Sequence, residues 1–289
     1  MSPRKIMDDR VLSHLRALIS ERHPISSPAS LRRAQDYIAE EYRRVGLRVS
    51  FHAFRALGGT YKNVIGTLRP ARAAFHRAKP PLIIAAHYDT IQDTPGADDN
   101  ASGLAAMLEA AGRLHEASLS CEIRFIATCL EEQDLLGSVA YAASLREANE
   151  EILGAIVLEC VGYTSEREGS QTAPPAMPIA IPRVGDFLGI VANTASAPLA
   201  KSFEQTAKRE VADLKTVLLV VPGQGEQLPD TRRSDHAAFW QFGYPALMLT
   251  DTANFRNPHY HRSTDTFETL DLSFICRVAQ AVSAMATSL

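Results

Sequence analysis

The sequence predicts an α/β protein with a three-layer α/β/α arrangement, in which helices cover both faces of a mixed, largely parallel central sheet. The short, wholly apolar run 82–86 (LIIAA) is typical of a strand buried on both faces, and 154–159 (GAIVLE) is a further strand-like run. Beyond residue 82 such runs alternate with stretches of helical periodicity, a pattern that favours this class of fold. At 289 residues and 46% hydrophobic composition, the chain can bury a large core without disulfides. We expect a single domain over residues 1–289.

Two helices and two strands are predicted before the apolar run at 82–86. Apolar residues at helical spacing indicate a helix over 8–22. A second helix is predicted from Pro28, which suits a first helical turn, to Gly46, which suits a helix end. Alternating residues in 47–54 and the strand-like run 61–68 predict two neighbouring strands.

Strands and helices alternate over the remainder of the chain. Further strands are predicted over 82–86, 122–130, 154–159, 214–221 and 245–250. Further helices are predicted over 103–117, near 138–148, over 185–209, over 234–242 and at the C-terminus. Two proline-bearing segments, 69–81 and 165–182, are interpreted as surface connections.

Composition and charge exclude two classes of partner. A formal net charge of −3 gives no basic footprint, so we expect no nucleic-acid partner. No stretch approaches the roughly 20 apolar residues of a membrane span, so we expect no membrane partner. The N-terminus lacks the apolar core of a signal peptide, and a cytoplasmic location is expected. The cysteines, Cys121, Cys129, Cys160 and Cys276, show no CxxC pairing and are interpreted as buried thiols.

Carboxylates and imidazoles stand where the predicted strands end. They are His87 and Asp89 after 82–86, Asp98 and Asp99 in the next loop, Glu131 and Glu132 after 122–130, Glu159 at the end of 154–159, and His259 and His261 after the final strand. Functional groups gather at the carboxyl ends of strands in such sheets. So many acids in one cleft repel one another unless cations are present, and mixed His, Asp and Glu ligation suits zinc. The pattern predicts a metal site, although adjacent acids taken singly are usually solvated or part of turns.

Five motifs in this order resemble the co-catalytic zinc aminopeptidases, whose superfamily includes glutamate carboxypeptidase II and the glutaminyl cyclases. They are HYD (87–89), PGADDNASG (95–103), EE followed by LLGS (131–138), LE (158–159) and YHRSTDT (260–266). The resemblance runs from residue 61 to residue 271 and implies a phosphorylase/hydrolase-like architecture. It also implies that the chain is one zinc-peptidase catalytic domain.

The resemblance implies a ligand set for two zinc ions per chain. Asp99 is expected to bridge both ions. His87 and Glu159 are expected to complete one site, and Glu132 and His261 the other. A water between the two ions is expected to attack the scissile carbonyl.

The same resemblance implies roles for further residues. Glu131 is expected to act as the general base, and Asp89 to hydrogen-bond the second ring nitrogen of His87. Tyr260 matches a tyrosine that stabilises the oxyanion in some relatives, although a packing role is an equal alternative. The segment 234–236 (Ser-Asp-His) either lies near the pocket or forms a helix N-cap with surface polar residues.

Three positions depart from the family pattern or have a competitor. Position 159 is Asp in the better-known members and Glu here, which changes geometry and metal preference. Asp98 competes with Asp99 for the bridging role, and His259 competes with His261. The family register favours Asp99 and His261 in both cases.

The expected function is that of a metal-dependent exopeptidase, best matched by an aminopeptidase acting on peptide N-termini. A glutaminyl cyclase with one working zinc, a deacylase acting on a small amide, and a non-catalytic binding module are the alternatives. The filled set of ligand positions disfavours the cyclase and the binding module. The loops 165–182 and 222–233 are expected to shape the rim of the specificity pocket.

Overall fold

A computed structural model describes residues 3–70, 79–175 and 177–289, with side chains from residue 7 onward. The strands are β1 (Arg48–Ala56), β2 (Gly59–Leu68), β3 (Lys79–His87), β4 (Cys121–Thr128), β5 (Gly154–Glu159), β6 (Phe187–Asn193), β7 (Lys215–Val221) and β8 (Ala246–Thr250). The helices are α1 (Pro3–Leu18), α2 (Pro28–Arg44), α3 (Gly103–Leu114), α4 (Leu136–Glu147), α5 (Ala197–Glu210), α6 (His236–Gln241) and α7 (Leu272–Ser288). Most of the predicted connection 69–81 lies outside the described residues, because 71–78 are not among them.

The eight strands form one mixed sheet in the order β1-β2-β4-β3-β5-β8-β6-β7. The central pairs β3/β4, β3/β5 and β5/β8 are parallel, as is β6/β7. The pairs β1/β2, β2/β4 and β6/β8 are antiparallel. Because β3, β4, β5 and β8 run in one direction, their carboxyl ends meet at the same edge of the sheet.

Helices cover both faces of this sheet. Along β3, Leu82 and Ile84 face the cluster built with α1, α2, α3, α5 and α7, while Ile83 and Ala85 face the cluster built with α4 and α6. Successive side chains of a strand point to opposite faces, which explains why the whole run 82–86 is apolar. The predicted three-layer α/β fold is confirmed.

The predicted helix over 185–209 is wrong in its first part. Residues 187–193 form β6, which lies between β8 and β7, and every residue of β6 is buried. Asn193 ends the strand, and its side chain accepts a hydrogen bond from the backbone N–H of Ser196. Helix α5 begins only at Ala197, with proline in its first turn. The apolar residues of 187–193 are compatible with helical spacing, but the segment forms a strand that is buried on both faces of the sheet.

Other expectations concern the membrane and the cysteines. Among the described residues, no helix combines the length and apolar character needed to cross a bilayer. All four cysteines are buried and form no disulfide with one another. The cytoplasmic location and the single-domain organisation stay predictions.

Candidate metal centre

The carboxyl edge of the sheet collects the side chains that the sequence singled out. His87 is the last residue of β3 and Glu159 the last residue of β5. Glu132 follows the end of β4, and Asp99 lies in the loop between β3 and α3. His261 lies in the long segment between β8 and α7. The structure brings all five predicted ligands together.

Asp99 stands between two groups of side chains. Its Oδ1 atom is 3.1 Å from His87 Nε2, and Glu159 Oε2 is 3.4 Å from the same nitrogen. Its Oδ2 atom is 3.0 Å from His261 Nε2, and Glu132 Oε2 is 3.4 Å from that nitrogen. We call His87, Glu159 and Asp99 Oδ1 the inner group, and Glu132, His261 and Asp99 Oδ2 the outer group.

The hydrogen bonding of these groups tests whether they fit metal ions. Four of the buried atoms have no hydrogen-bond partner among the described residues: His87 Nε2, Asp99 Oδ1, Glu132 Oε1 and His261 Nε2. Buried polar atoms without partners are costly and rare in folded proteins. In the outer group, the ligand atoms of Asp99, Glu132 and His261 lie within 4.8 Å of one another, and around the inner imidazole the same holds for His87, Glu159 and Glu131. The donor set therefore fits one cation in each group, with Asp99 shared.

The competing residues Asp98 and His259 point elsewhere. The Asp98 carboxylate accepts hydrogen bonds from Asn257 Nδ2 at 2.7 Å and from the backbone N–H of Gly162 at 2.8 Å. His259 Nδ1 lies 2.9 Å from Thr264 Oγ1. Both side chains are thus engaged outside the two groups, and geometry favours Asp99 and His261 as the family register does.

Asp89 supports the centre differently from the expectation. Its backbone carbonyl, not its carboxylate, accepts from His87 Nδ1 at 3.1 Å, and its nearer carboxylate oxygen is 3.8 Å away. The carboxylate instead accepts the backbone N–H groups of Glu131 and Glu132, both at 3.1 Å. Because a carbonyl only accepts, Nδ1 carries the proton and leaves the Nε2 lone pair for a metal. The carboxylate fixes the backbone of the two glutamates.

Several supporting residues were missed by sequence reasoning. Asp265 accepts the backbone N–H of Asp98 at 2.9 Å and of Asp99 at 3.2 Å. Glu159 accepts from Ser234 Oγ at 2.8 Å and from Cys160 Sγ at 3.2 Å. Asp265 lies within the YHRSTDT motif, which was the only available signal. The contacts of Cys160 could not be foreseen, because they depend on the side-chain direction at the end of β5.

The segment 234–236 is not a set of surface polar residues. Ser234, Asp235 and His236 are all fully buried. Asp235 is the N-cap residue of α6 but makes no capping hydrogen bond, and its carboxylate accepts instead from Thr128 Oγ1. His236 Nε2 pairs with the carbonyl of Thr231 at 2.8 Å. The interpretation as an exposed helix cap is wrong, and the segment lies behind the inner group.

Burial and mutual repulsion dominate the titration of the site. Burial, assisted by the charges of Glu159 and Glu132, raises the pKa of Glu131 well above its ordinary value against the effect of His87. Burial and the charge of Asp99 raise the pKa of Glu132 to about 7. Burial opposes protonation of His261, but Asp99 and Glu132 raise its pKa to about 10. Without cations the site therefore retains protons that metal ions would displace.

Tyr260 lies beside the outer group. Its ring stacks on that of His261, with centroids 3.9 Å apart and planes 16° from parallel. Its hydroxyl oxygen accepts a hydrogen bond from Arg233 NH2 at 3.1 Å. Both the packing role and the catalytic role considered for this tyrosine are compatible with its position.

A largely apolar pocket opens beside Glu159 and Tyr260. Its apolar lining comprises Met177, Ile181, Phe187, Ile190, Val191, Val217, Leu219, Met248 and Phe255. Gln171, Thr172 and Pro174 reach it from the 165–182 loop, and Asp230 and Arg233 reach it from near the end of 222–233. Both loops therefore contribute to the rim, as expected.

Known proteins resemble this chain over most of its length. The uncharacterized protein YfbL of Escherichia coli K12 is 34% identical over 297 residues, which cover 97% of this chain and 88% of YfbL. The solved structure of BSAP, a zinc aminopeptidase from Bacillus subtilis, is 26% identical with a TM-score of 0.59, covering 80% of this chain and 50% of that one. The Legionella pneumophila LapA aminopeptidase shares the fold, with a TM-score of 0.74 at 17% identity, over 98% of this chain and 72% of that one.

The family assignment rests on a match longer than any single motif. Residues 63–286 match the sequence profile described as peptidase family M28. That span contains every predicted metal ligand as well as Glu131 and Tyr260. The resemblance inferred from the five motifs is confirmed, and the chain belongs to peptidase family M28 as a metallopeptidase.

Proposed function

We propose that this protein is a zinc-dependent aminopeptidase that removes N-terminal residues with large apolar side chains from peptides. The observation that carries the proposal is the position of Asp99, whose two oxygens face two separate groups of imidazole and carboxylate donors. Zinc is proposed because these donors suit it and because BSAP, 26% identical, is described as a zinc aminopeptidase. The expected stoichiometry is two ions per chain, held by the inner and outer groups.

When bound, the two zinc ions would act as Lewis acids that activate a water and the scissile carbonyl. The chain's own contribution begins with Glu131, whose backbone N–H is held by Asp89 at 3.1 Å. Its carboxylate Oε2 lies 3.9 Å from His87 Nε2, at the margin of the inner group. A buried carboxylate at this position suits both acceptance of the water proton and its delivery to the leaving amine. We therefore assign Glu131 as the general base.

Tyr260 is proposed as a hydrogen-bond donor to the developing oxyanion. Arg233 donates to the hydroxyl oxygen, so the tyrosine keeps its own hydrogen for another acceptor. Stacking on His261 restricts the ring to a position beside the outer group. A fixed donor of this kind stabilises charge that develops in the transition state.

The pocket beside Glu159 supports the substrate class. Its lining by aliphatic, methionine and phenylalanine side chains favours an apolar substrate side chain, and hydrophobic transfer stabilises its burial. The charged residues among those that line the pocket are Arg233, Asp230 and the proposed metal ligand Glu159.

Zinc quantification combined with a substrate panel tests this proposal. Leucyl, methionyl and phenylalanyl arylamides are expected to be cleaved at least about tenfold faster, as kcat/KM, than alanyl and glutamyl arylamides, because one methylene in an apolar pocket already changes kcat/KM about 10- to 200-fold. N-acetylated leucyl arylamide serves as the matched control and is expected to resist hydrolysis.

Three outcomes would contradict the proposal. Hydrolysis that persists after complete zinc removal would exclude the metal mechanism. Efficient cleavage of the N-acetylated control would indicate a deacylase or endopeptidase. Cyclisation of an N-terminal glutamine peptide without arylamide hydrolysis would indicate a glutaminyl cyclase.

A further inference from the structure

Arg22 is a fully buried arginine in the loop between α1 and α2. It lies outside residues 63–286, the span that matches the peptidase family. Arginine is almost never fully buried unless its charge is paired. Yet among the described residues no carboxylate forms a salt bridge with Arg22, and its hydrogen-bond donors go elsewhere.

The guanidinium of Arg22 donates to backbone carbonyls on three segments of the chain. Within its own segment it donates to the carbonyls of Leu18 and Ser20. Its Nε donates to the carbonyl of Tyr88 at 2.8 Å. Its terminal nitrogens donate to Pro95 at 3.2 Å and to Gly96 at 3.1 Å. The planar fork of five N–H groups is the side chain that can satisfy several such acceptors at once.

Two of these segments carry metal-centre residues. Tyr88 lies between His87 and Asp89, so its carbonyl belongs to the loop that orients the inner imidazole. Pro95 and Gly96 lie further along the same β3–α3 loop and lead to Asp99. Arg22 thus links the start of this loop to the part that presents the bridging carboxylate.

The contact between Arg22 and these loops is close and specific. The backbone N–H of Arg22 donates to Thr90 Oγ1 at 2.9 Å, which adds a second attachment to the loop after β3. Gly96 has a φ of 62°, and a Cβ atom there would stand 2.4 Å from Thr90 Cγ2 and 3.0 Å from Arg22 NH2. Glycine therefore permits both the left-handed backbone and the approach of the guanidinium.

The charge of Arg22 acts on the same residues. Burial lowers its pKa to about 10, while the carboxylates of Asp89, Asp99 and Asp265 oppose this decrease. The group stays cationic at neutral pH. A permanent positive charge offsets part of the repulsion among the carboxylates before any metal arrives.

We propose that Arg22 is a positioning residue for the metal centre, which holds His87 and Asp99 in register by linking two parts of the β3–α3 loop, the backbone next to His87 and the backbone that leads to Asp99. The inference rests on the proposed metal function of those residues. Arg22 is not among the residues that line the pocket, and it acts on the ligands through the loop backbone that it binds and through its charge. An N-terminal segment outside the matched family span thus contributes to the metal site.

The test compares zinc affinity in Arg22→Gln, Arg22→Lys and the wild-type protein by competition with a chromophoric chelator. Residues that orient metal ligands typically change metal affinity about 10- to 100-fold when they are replaced. We expect a loss of that size for Arg22→Gln. Arg22→Lys keeps the charge but loses the fork, so an intermediate affinity is expected.

Arg10→Gln is the matched control. Arg10 lies on α1, and both of its side-chain hydrogen bonds go to the buried Glu109 of α3, the shorter at 2.6 Å. This variant is expected to lower the melting temperature without changing zinc affinity. A purely structural role for Arg22 would give the same result, so wild-type zinc affinity in folded Arg22→Gln would overturn the proposal.

A milder variant keeps the proposal testable if Arg22→Gln does not fold. Thr90→Val removes only the acceptor of the Arg22 backbone N–H and is expected to weaken zinc binding several-fold. Unchanged zinc affinity in that variant would overturn the proposal in that case. Failure of the wild-type protein to bind zinc would instead overturn the metal centre itself, a different result.

Discussion

The inner and outer groups of the metal centre use similar donors in different surroundings. In the inner group, the His87 side chain is 1% exposed, and both oxygens of Glu159 accept hydrogen bonds, from Ser234 and Cys160. In the outer group, the His261 side chain is 33% exposed, and Glu132 Oε1 has no hydrogen-bond partner among the described residues. Metal affinity depends on the partners that orient the ligands as well as on the ligands themselves. If each group holds one zinc ion as proposed, we expect the inner group to hold its ion more tightly than the outer group.

The largest effect is expected at two adjacent glutamates, of which Glu131 is proposed as the general base and Glu132 as a metal ligand. Glu131→Gln should retain the wild-type zinc content and lower turnover about 10²- to 10⁴-fold, because the variant cannot accept the water proton. Glu132→Gln should instead lose zinc from the outer group. Zinc analysis and kcat measured on the same preparations separate the two effects. Full activity in Glu131→Gln would remove the general-base assignment.

A second experiment addresses the difference in metal retention between the groups. After dialysis against a mild chelator, His261→Ala should retain about one zinc per chain, since the inner group stays complete. His87→Ala should retain clearly less, because the remaining ligands are more exposed to solvent. His259→Ala is the control, since this side chain binds Thr264 and should leave zinc content unchanged. The reverse order of retention would contradict the distinction between an inner and an outer ion.

The smallest effect is expected from a partner of the inner group. Ser234→Ala removes the hydrogen bond to Glu159 Oε2 and should weaken the tighter zinc affinity about tenfold. Chelator competition resolves the two affinities, and only the tighter one should change. Ser263→Ala is a matched control, because Ser263 is an exposed serine. A selective loss of the weaker affinity in Ser234→Ala would mean that the groups are assigned in the wrong order.

Much of the site could be predicted because its residues stand at fixed points of a repeating pattern. His87 and Glu159 end wholly apolar strands, and strands of that kind in an α/β chain run parallel. Their carboxyl ends therefore lie at the same edge of the sheet. The choice between Asp99 and Asp98 could not be made in this way, because the two residues are of the same type and adjacent in one loop. Only the hydrogen bonds of Asp98 to Asn257 and Gly162 distinguish them in space.

The errors share a physical cause. The segment 187–193 satisfies helical spacing and strand burial equally well, and its place between β8 and β7 decides the outcome. The segment 234–236 was left between a place near the pocket and an exposed helix cap, but all three residues are buried, with Ser234 on Glu159, Asp235 on Thr128 and His236 on the carbonyl of Thr231. The Asp89 carboxylate accepts the backbone N–H groups of Glu131 and Glu132, because the chain passes next to Asp89 after the end of β4. Each result depends on neighbours distant in the chain.

The sequence by itself determined the fold class, the peptidase resemblance and the residues collected at the sheet edge, because strand periodicity and motif order are local properties. Tertiary structure alone decided the order of the strands, the unequal surroundings of the two ligand groups and the position of Arg22. The acceptors of Arg22 are backbone carbonyls, which every residue carries. No side-chain pattern marks such acceptors, so their convergence on one guanidinium is visible only in the folded chain.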